Sequence, residues 1–174
     1  MTNKNERRKI EISYNVYRME RIFKTNILED NKHPLFASAL IESLIVTRDL
    51  LEKTKNLIHI KIDFKDDVII TEKIGNVYDL IIFYRNAACH KDSNNHLDAE
   101  GKVFSFNSKK GKGSYPISNY KILQSDYEDD ICIFLGEQKL YIQRHLIRAC
   151  KESINQLEPH FPILKVWRRL AQML

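Results

Sequence analysis

The stretch from Asn76 to His90, NVYDLIIFYRNAACH, decides the expected fold. Its apolar residues recur at three- and four-residue steps, the spacing of one face of an α-helix, at Val77, Leu80, Ile81, Tyr84 and Ala88. Asn76 is suited to cap the start of this helix, because its side chain accepts hydrogen bonds from otherwise unpaired amide groups. We therefore predict a strongly buried helix that ends where the polar run after His90 begins.

The same periodicity predicts helices on both sides of this stretch. A first helix is expected from about residue 6 to residue 27, and a second from Pro34 to about Lys53. Residues 136–157 (GEQKLYIQRHLIRACKESINQL) are predicted to be helical with Gly136 at the start, and a short final helix opens at Pro162.

Only short segments have the pattern of a β-strand. LIHIKIDF (57–64) fits either a half-buried extended segment or an apolar connection, while VFSF (103–106) and ICIFL (131–135) are strand-like runs beside a polar region with a glycine-containing turn. We therefore predict an all-α fold, an antiparallel helical bundle of four to five helices with a small β-hairpin or strand-pair insertion. Residues 1–174 form a single domain in this interpretation, with the polar loop or hairpin insertion around 91–135.

The composition favours a globular protein with a modest preference for polyanions. Of 174 residues, 43% are hydrophobic, and 28 Lys and Arg against 23 Asp and Glu give a formal net charge of +5. Cys89, Cys132 and Cys150 are widely spaced and odd in number, which favours a reducing compartment over a disulfide framework. The basic N-terminus lacks an apolar leader region, and no stretch reaches the roughly 18 apolar residues of a membrane span. We expect a cytoplasmic protein without a membrane partner.

Arg85, Asn86 and His90 form the most informative polar pattern at the end of the central helix. Helical geometry places Arg85 and His90 about 140° apart around the axis and about 7.5 Å apart along it, so they do not share a face. Asn86 and His90, four residues apart, do face the same way, and the long arginine side chain can bend round the helix end. Convergence is easier if a second copy of the helix crosses at a two-fold axis, which favours a homodimer.

This motif resembles that of the HEPN superfamily, the nucleotide-binding α-helical domain of prokaryotes and higher eukaryotes. Its motif is an arginine, a polar residue, and a histidine four to six residues beyond the arginine, here Arg85, Asn86 and His90 on the expected penultimate core helix. The resemblance implies a metal-independent endoribonuclease of a toxin-antitoxin, abortive-infection or other phage-defence system, without a cofactor and with its site at a homodimer interface. An antitoxin or defence-system partner protein is implied as well.

The residue types suit RNA cleavage without a metal. The ribose 2′-hydroxyl must lose a proton, the departing 5′-oxygen must gain one, and the charge on the phosphate must be stabilised. Histidine can transfer protons at neutral pH because its ordinary pKa is about 6.5, and the helix C-terminus favours its charged form. Arginine stays charged and can bind two phosphate oxygens. We therefore predict Arg85, Asn86 and His90 as catalytic residues, with Asn86 orienting His90 or the phosphate.

Two alternatives to this function remain open at the level of sequence. One is a non-catalytic HEPN-like module that binds RNA or nucleotide or regulates a defence system, and the other is a helical interaction protein. Asp92 occupies the position, two residues after His90, where HEPN toxins inactivated by a partner nucleotidyltransferase have a tyrosine. Control by adenylylation is therefore not expected.

Further candidates have plainer interpretations beside the functional ones. Lys109, Lys110 and Lys112 are candidates for contact with the RNA backbone, although a solvated loop tip is the simpler explanation of these lysines. Cys89 lies next to His90, but there is no second ligand at metal-binding spacing, so we predict a small thiol and no metal.

Overall fold

The structure, a computed structural model, describes residues 4–89, 106–118 and 121–161. The helices of this part are α1 (Lys4–Lys24), α2 (Phe36–Ile58), α3 (Val77–Cys89) and α4 (Arg148–Leu157). A short 3₁₀-helix, Ile27–Glu29, follows α1, and a π-helix, Ile142–Ile147, leads directly into α4.

In the described part of the chain, five antiparallel strands accompany the helices, so the prediction of an all-α bundle with one small β-hairpin or strand pair is wrong. They are β1 (Asn107–Lys110), β2 (Gly113–Ser118), β3 (Lys121–Ser125), β4 (Ile131–Leu135) and β5 (Gln138–Tyr141). One sheet has the order β1-β4-β5, and β2 and β3 form a separate two-stranded sheet. The described chain is therefore a mixed α/β fold.

Strand β4, which is the ICIFL run, is the central strand of the three-stranded sheet and is covered on both of its faces. All five of its residues are buried. Ile131, Ile133 and Leu135 pack into the main core, whereas Cys132 and Phe134 belong to a second apolar cluster. There the ring of Tyr115 in β2 stacks on that of Phe134 with the ring centroids 5.0 Å apart. A strand buried on two faces is apolar without alternation, which explains its continuous apolar sequence.

The segment predicted to be helical from Gly136 begins as a strand. Gly136 adopts a φ of 56° in the two-residue connection between β4 and β5, a conformation in which glycine avoids steric strain. β5 then pairs with β4 from Leu135↔Gln138 to Cys132↔Tyr141, and helical structure starts only at Ile142. Pairing with β4 outweighs the helical periodicity of this segment.

Helix α3 is buried as predicted. Asn76 caps its start, since its Oδ1 accepts a hydrogen bond from the Asp79 amide at 3.2 Å. The Asp79 carboxylate in return accepts one from the Gly75 amide at 3.1 Å. This reciprocal arrangement pairs two amide groups at the helix start that would otherwise lack partners. The helix packs against α2, and its inner residues Val77, Leu80, Ile81 and Tyr84 are all fully buried.

The other predicted boundaries shift by a few residues. α2 continues beyond Lys53 to Ile58 and ends at His59, whose φ of 58° and whose amide bonded to the Thr54 carbonyl form a left-handed cap. Residues 59–64 of LIHIKIDF then form an apolar connection rather than a strand, with Ile62 buried. The final helix predicted from Pro162 lies outside the described residues, as do residues 103–105 of VFSF. None of the helices in the described ranges has the length and apolar character needed to cross a bilayer.

Candidate functional site

Arg85 and Asn86 lie in the C-terminal half of α3, one turn before its end. Both side chains are half-buried, and Arg85 Nη1 donates a hydrogen bond to Asn86 Oδ1 at 3.1 Å. Their neighbours Tyr84 and Ala87 are buried, so the backbone that holds the pair is fixed in the core. The structure therefore brings these two predicted residues together on a rigid support.

The third predicted residue, His90, lies outside the described residues, and so does Asp92. α3 ends at Cys89, immediately before the histidine, and Cys89 is exposed. The structure thus places two of the three motif residues.

The guanidinium of Arg85 keeps its charge available for a ligand. Among the described residues it has no carboxylate within ion-pair distance, and the neutral amide oxygen of Asn86 is its hydrogen-bond acceptor. A neutral acceptor orients the planar fork without cancelling its charge, and the remaining N–H groups can still bind two oxygens of an anion. Chemically, the pair is suited to hold a phosphate.

The three predicted RNA-binding lysines occupy β1 and the turn that follows it. Lys110 donates a hydrogen bond to the backbone carbonyl of Glu29 at 2.6 Å, so its ammonium group connects β1 to the 3₁₀-helix. The stem of Lys109 crosses over Gly113, where an added Cβ would lie 2.7 Å from Lys109 Cε. Lys112 is exposed; the pKa of Asp126 is lowered mainly by its hydrogen bond from Lys139 and only slightly by the charge of Lys112. Lys110 thus has a structural contact, and Lys112 points to solvent.

Asp130 organises a polar cluster that the sequence analysis missed. Its side chain is fully buried and accepts hydrogen bonds from the amides of Ile131, Gln143 and Arg144 at 2.7, 2.9 and 3.1 Å. The guanidinium of Arg144 adds a fourth contact at 3.1 Å. Asp130 therefore caps the π-helix, where its charge also complements the positive end of the helix dipole.

His145 is buried in the same π-helix, and both of its ring nitrogens are satisfied. Nδ1 accepts a hydrogen bond from the Tyr141 amide at 3.1 Å, so the proton must lie on Nε2, which is 2.9 Å from the Asp66 carbonyl. Burial lowers the pKa of His145 below its ordinary value, although the Asp66 carbonyl acts in the opposite direction. This histidine is a neutral core residue.

A second group of charges missed by the sequence analysis surrounds Tyr78 at the start of α3. The phenol of Tyr78 donates a hydrogen bond to Glu52 Oε1 at 2.6 Å, and Arg48 Nη2 lies 3.6 Å from the same oxygen. The ammonium groups of Lys55 and Lys61 lie 5.1 and 5.2 Å from the centroid of the Tyr78 ring. We call Arg48, Glu52, Lys55, Lys61 and Tyr78 the Tyr78 cluster. Burial and the hydrogen bond to Glu52 raise the pKa of Tyr78 to about 12, so the phenol stays protonated.

The cysteines are free thiols. Burial raises the pKa of both Cys132 and Cys150 to about 12, which makes these two thiols unreactive at neutral pH. Among the described residues, no three His, Cys, Asp or Glu side chains are grouped so that they could hold a metal ion.

Comparison of the chain with protein-family models, with curated proteins and with solved structures finds no match. The resemblance to the HEPN superfamily therefore rests on the motif from Arg85 to His90.

Proposed function

We propose that the protein is a metal-independent endoribonuclease of the HEPN type, acting in a toxin-antitoxin, abortive-infection or other phage-defence role. The observation that supports it most directly is the Arg85 guanidinium, half-buried at the end of a buried helix and oriented by the neutral Asn86 oxygen. A fixed arginine that keeps its charge suits recognition of a phosphodiester. His90, five residues later in the sequence, supplies the group that can transfer protons.

In this proposal each residue of the motif has one role. Arg85 binds two non-bridging oxygens of the scissile phosphate and stabilises the charge that develops there. Asn86 holds the guanidinium fork in place. The ribose 2′-hydroxyl gives its proton to solvent water and attacks the phosphorus, the bond from phosphorus to the 5′-oxygen breaks, and His90 as a general acid gives a proton to that departing oxygen. The products are a 2′,3′-cyclic phosphate and a free 5′-hydroxyl, so DNA, which lacks the attacking hydroxyl, is not a substrate.

The proposal includes a homodimer, because helical geometry separates Arg85 from His90 within one chain. The partner copy would contribute its own motif to a shared site. We further propose a cytoplasmic location, where the three cysteines remain reduced, and control by an antitoxin or another protein of the defence system.

RNA cleavage by the purified protein tests this function. The wild type should cut cellular RNA in the presence of a chelator and leave 2′,3′-cyclic phosphate ends, and its expression should arrest growth. Arg85→Ala and His90→Ala should each abolish both effects while the circular dichroism spectrum is retained. Arg7→Ala is the matched control, since the Arg7 side chain is 80% exposed on α1 and pairs only with Glu11 among the described residues.

Four results would contradict the proposal in different ways. RNA that stays intact after prolonged incubation would exclude catalysis. Cleavage that persists in both motif variants would place the activity elsewhere. Binding of RNA without cleavage, retained in both variants, would favour the non-catalytic HEPN-like binding module instead. A monomer at micromolar concentration would contradict the shared site.

A further inference from the structure

The Tyr78 cluster presents positive charge on the outside of α2 and α3. Lys55 and Lys61 are exposed, and the Arg48 side chain is 40% exposed. Arg48 and Lys55 lie seven residues apart on α2, which places them on one face of that helix. α2 ends at His59, and Lys61, in the connection that follows, lies next to the ring of Tyr78. Three cations therefore converge from two segments.

Glu52 offsets the charge of Arg48, because Arg48 Nη2 lies 3.6 Å from Glu52 Oε1, so the uncompensated positive charge of the cluster lies on Lys55 and Lys61. Glu52 also accepts a hydrogen bond from the Tyr78 phenol at 2.6 Å, and Asp79 accepts one from the Gly75 amide at 3.1 Å. Among the described residues, neither Lys55 nor Lys61 has a carboxylate within ion-pair distance. Lys55 instead donates a long hydrogen bond of 3.5 Å to the Tyr78 phenol. A ring face and a phenol oxygen hold the two ammonium groups without neutralising them.

Helix α3 connects this charge to the candidate site. Tyr78 and Arg85 are seven residues apart, so they lie within about 20° of the same face and about 10.5 Å apart along the axis. Tyr78 is only 5% exposed, so this separation is fixed by the packed core and not by flexible side chains. Tyr78, the residue around which the cluster is built, and Arg85 thus lie near the same face of α3.

We infer that the Tyr78 cluster is a binding surface for the phosphate backbone of single-stranded RNA, which it directs along α3 toward Arg85. The inference rests on the proposed function, because it extends the substrate contacts of that site. Lys55 and Lys61 provide point charges that bind phosphates without reading sequence. Glu52 holds Arg48 in an ion pair, and Tyr78 fixes the positions of the two lysines through its ring and its phenol oxygen.

The salt dependence of RNA binding tests this surface. A fluorescent single-stranded RNA of mixed sequence is titrated with the His90→Ala protein, which prevents cleavage during the measurement, at several salt concentrations. In Lys55→Gln/Lys61→Gln, the affinity should fall on the order of tenfold at physiological salt. The slope of log affinity against log salt should become shallower by about 1.4, because each phosphate contact with a single strand contributes about 0.7.

Two further variants make the result specific. Lys24→Gln/Lys32→Gln removes the same charge from exposed positions on α1 and on the corner that follows it, and its affinity should stay within twofold of the parent. Lys55→Arg/Lys61→Arg retains the charge and should retain the slope. Circular dichroism and thermal unfolding confirm that each protein is folded.

The outcomes separate this inference from the proposed function. Equal losses in the two glutamine variants, or no RNA binding by the parent protein, would overturn the inference. Binding that depends on Lys55 and Lys61 in a wild-type protein without RNA cleavage would support the surface and contradict the nuclease. Cleavage that depends on Arg85, with an unchanged salt slope in Lys55→Gln/Lys61→Gln, would support the nuclease and contradict the RNA-binding surface.

Discussion

The Tyr84 hydroxyl donates a hydrogen bond to the backbone carbonyl of Ile133 at 2.8 Å, inside the core. This contact joins α3, which bears Arg85 and Asn86, to the central strand of the three-stranded sheet. Tyr84 is fully buried, and its ring also lies 6.0 Å from that of Phe106, just before β1. The position of the candidate site therefore depends on the sheet as well as on the helices.

Loss of this hydrogen bond should weaken the fold measurably. Tyr84→Phe keeps the ring but leaves the buried Ile133 carbonyl without this donor, so the free energy of unfolding should fall by about 1 to 2 kcal/mol. Chemical denaturation measures the change. Tyr115→Phe is the matched control, because the Tyr115 hydroxyl makes no hydrogen bond within the described residues, and a shift below about 0.5 kcal/mol is expected. Equal effects of the two substitutions would contradict a specific role for the Tyr84 contact.

Asp130 and Asp129 both form ion pairs with Arg144, and one of the two carboxylates is buried while the other is exposed. The Asp130 side chain is fully buried, while that of Asp129 is 75% exposed and lies 2.9 Å from Arg144. Asp130→Ala should lower the free energy of unfolding by about 3 kcal/mol, because three amides and a guanidinium lose their acceptor. Asp129→Ala should cost less than about 1 kcal/mol, since solvent screens an exposed pair. Urea unfolding of both variants gives the comparison, and a larger loss for Asp129→Ala would refute this account of the π-helix cap.

His145 should make the fold less stable in mild acid. Its folded-state pKa is lowered by burial below the 6.5 of the exposed side chain. Between these two values the unfolded chain binds more protons than the folded one, so the free energy of unfolding falls as the pH drops below about 6.5. The slope from this residue is at most about 1.4 kcal/mol per pH unit. Above the unfolded-state pKa the residue adds no pH dependence.

Denaturation at several pH values between 5 and 8 measures this slope. His145→Asn, whose side-chain oxygen can accept the Tyr141 amide, should show a weaker loss of stability in acid. His160→Asn should behave like the wild type, because His160 is exposed. A slope unchanged by His145→Asn would mean that another group titrates.

Asn86→Asp tests whether Arg85 must keep its charge free. The substituted carboxylate can still orient the guanidinium, but it forms an ion pair that competes with a phosphate. We expect RNA cleavage to fall on the order of a hundredfold, with a loss of stability below about 1 kcal/mol. Asn86→Gln, which keeps a neutral amide, should lose less activity. Full activity in Asn86→Asp would show that orientation alone is required.

The sequence was sufficient for α3 because the forces that form it are local. Apolar residues at helical spacing and a capping residue directly before Val77 lie within one short segment. The contact between Arg85 and Asn86 is also local, since the two residues are neighbours. The segment 138–141 was misjudged for the opposite reason. Its apolar pattern fits a helix or a strand, and only the presence of β4 beside it determines which one forms.

The Tyr78 cluster could be predicted from the sequence only in part. Arg48, Glu52 and Lys55 recur at helical spacing, so their common face on α2 could have been read from the sequence. Their contact with Tyr78 and Lys61 could not, because it depends on how α2 packs against α3 and on the path of the connection between them.

By itself, the sequence determined the buried central helix, its cap, the motif from Arg85 to His90 and the excess of positive charge. These follow from residue spacing and composition, which are properties of the chain in any packing. The tertiary structure alone decided that five strands join the helices within the described ranges and that β4 is enclosed on both faces. It also decided that Asp130, His145 and Tyr78 become centres of polar contacts. Such features bring together residues distant in the chain, and only the packing of the core selects among the pairings that the sequence permits.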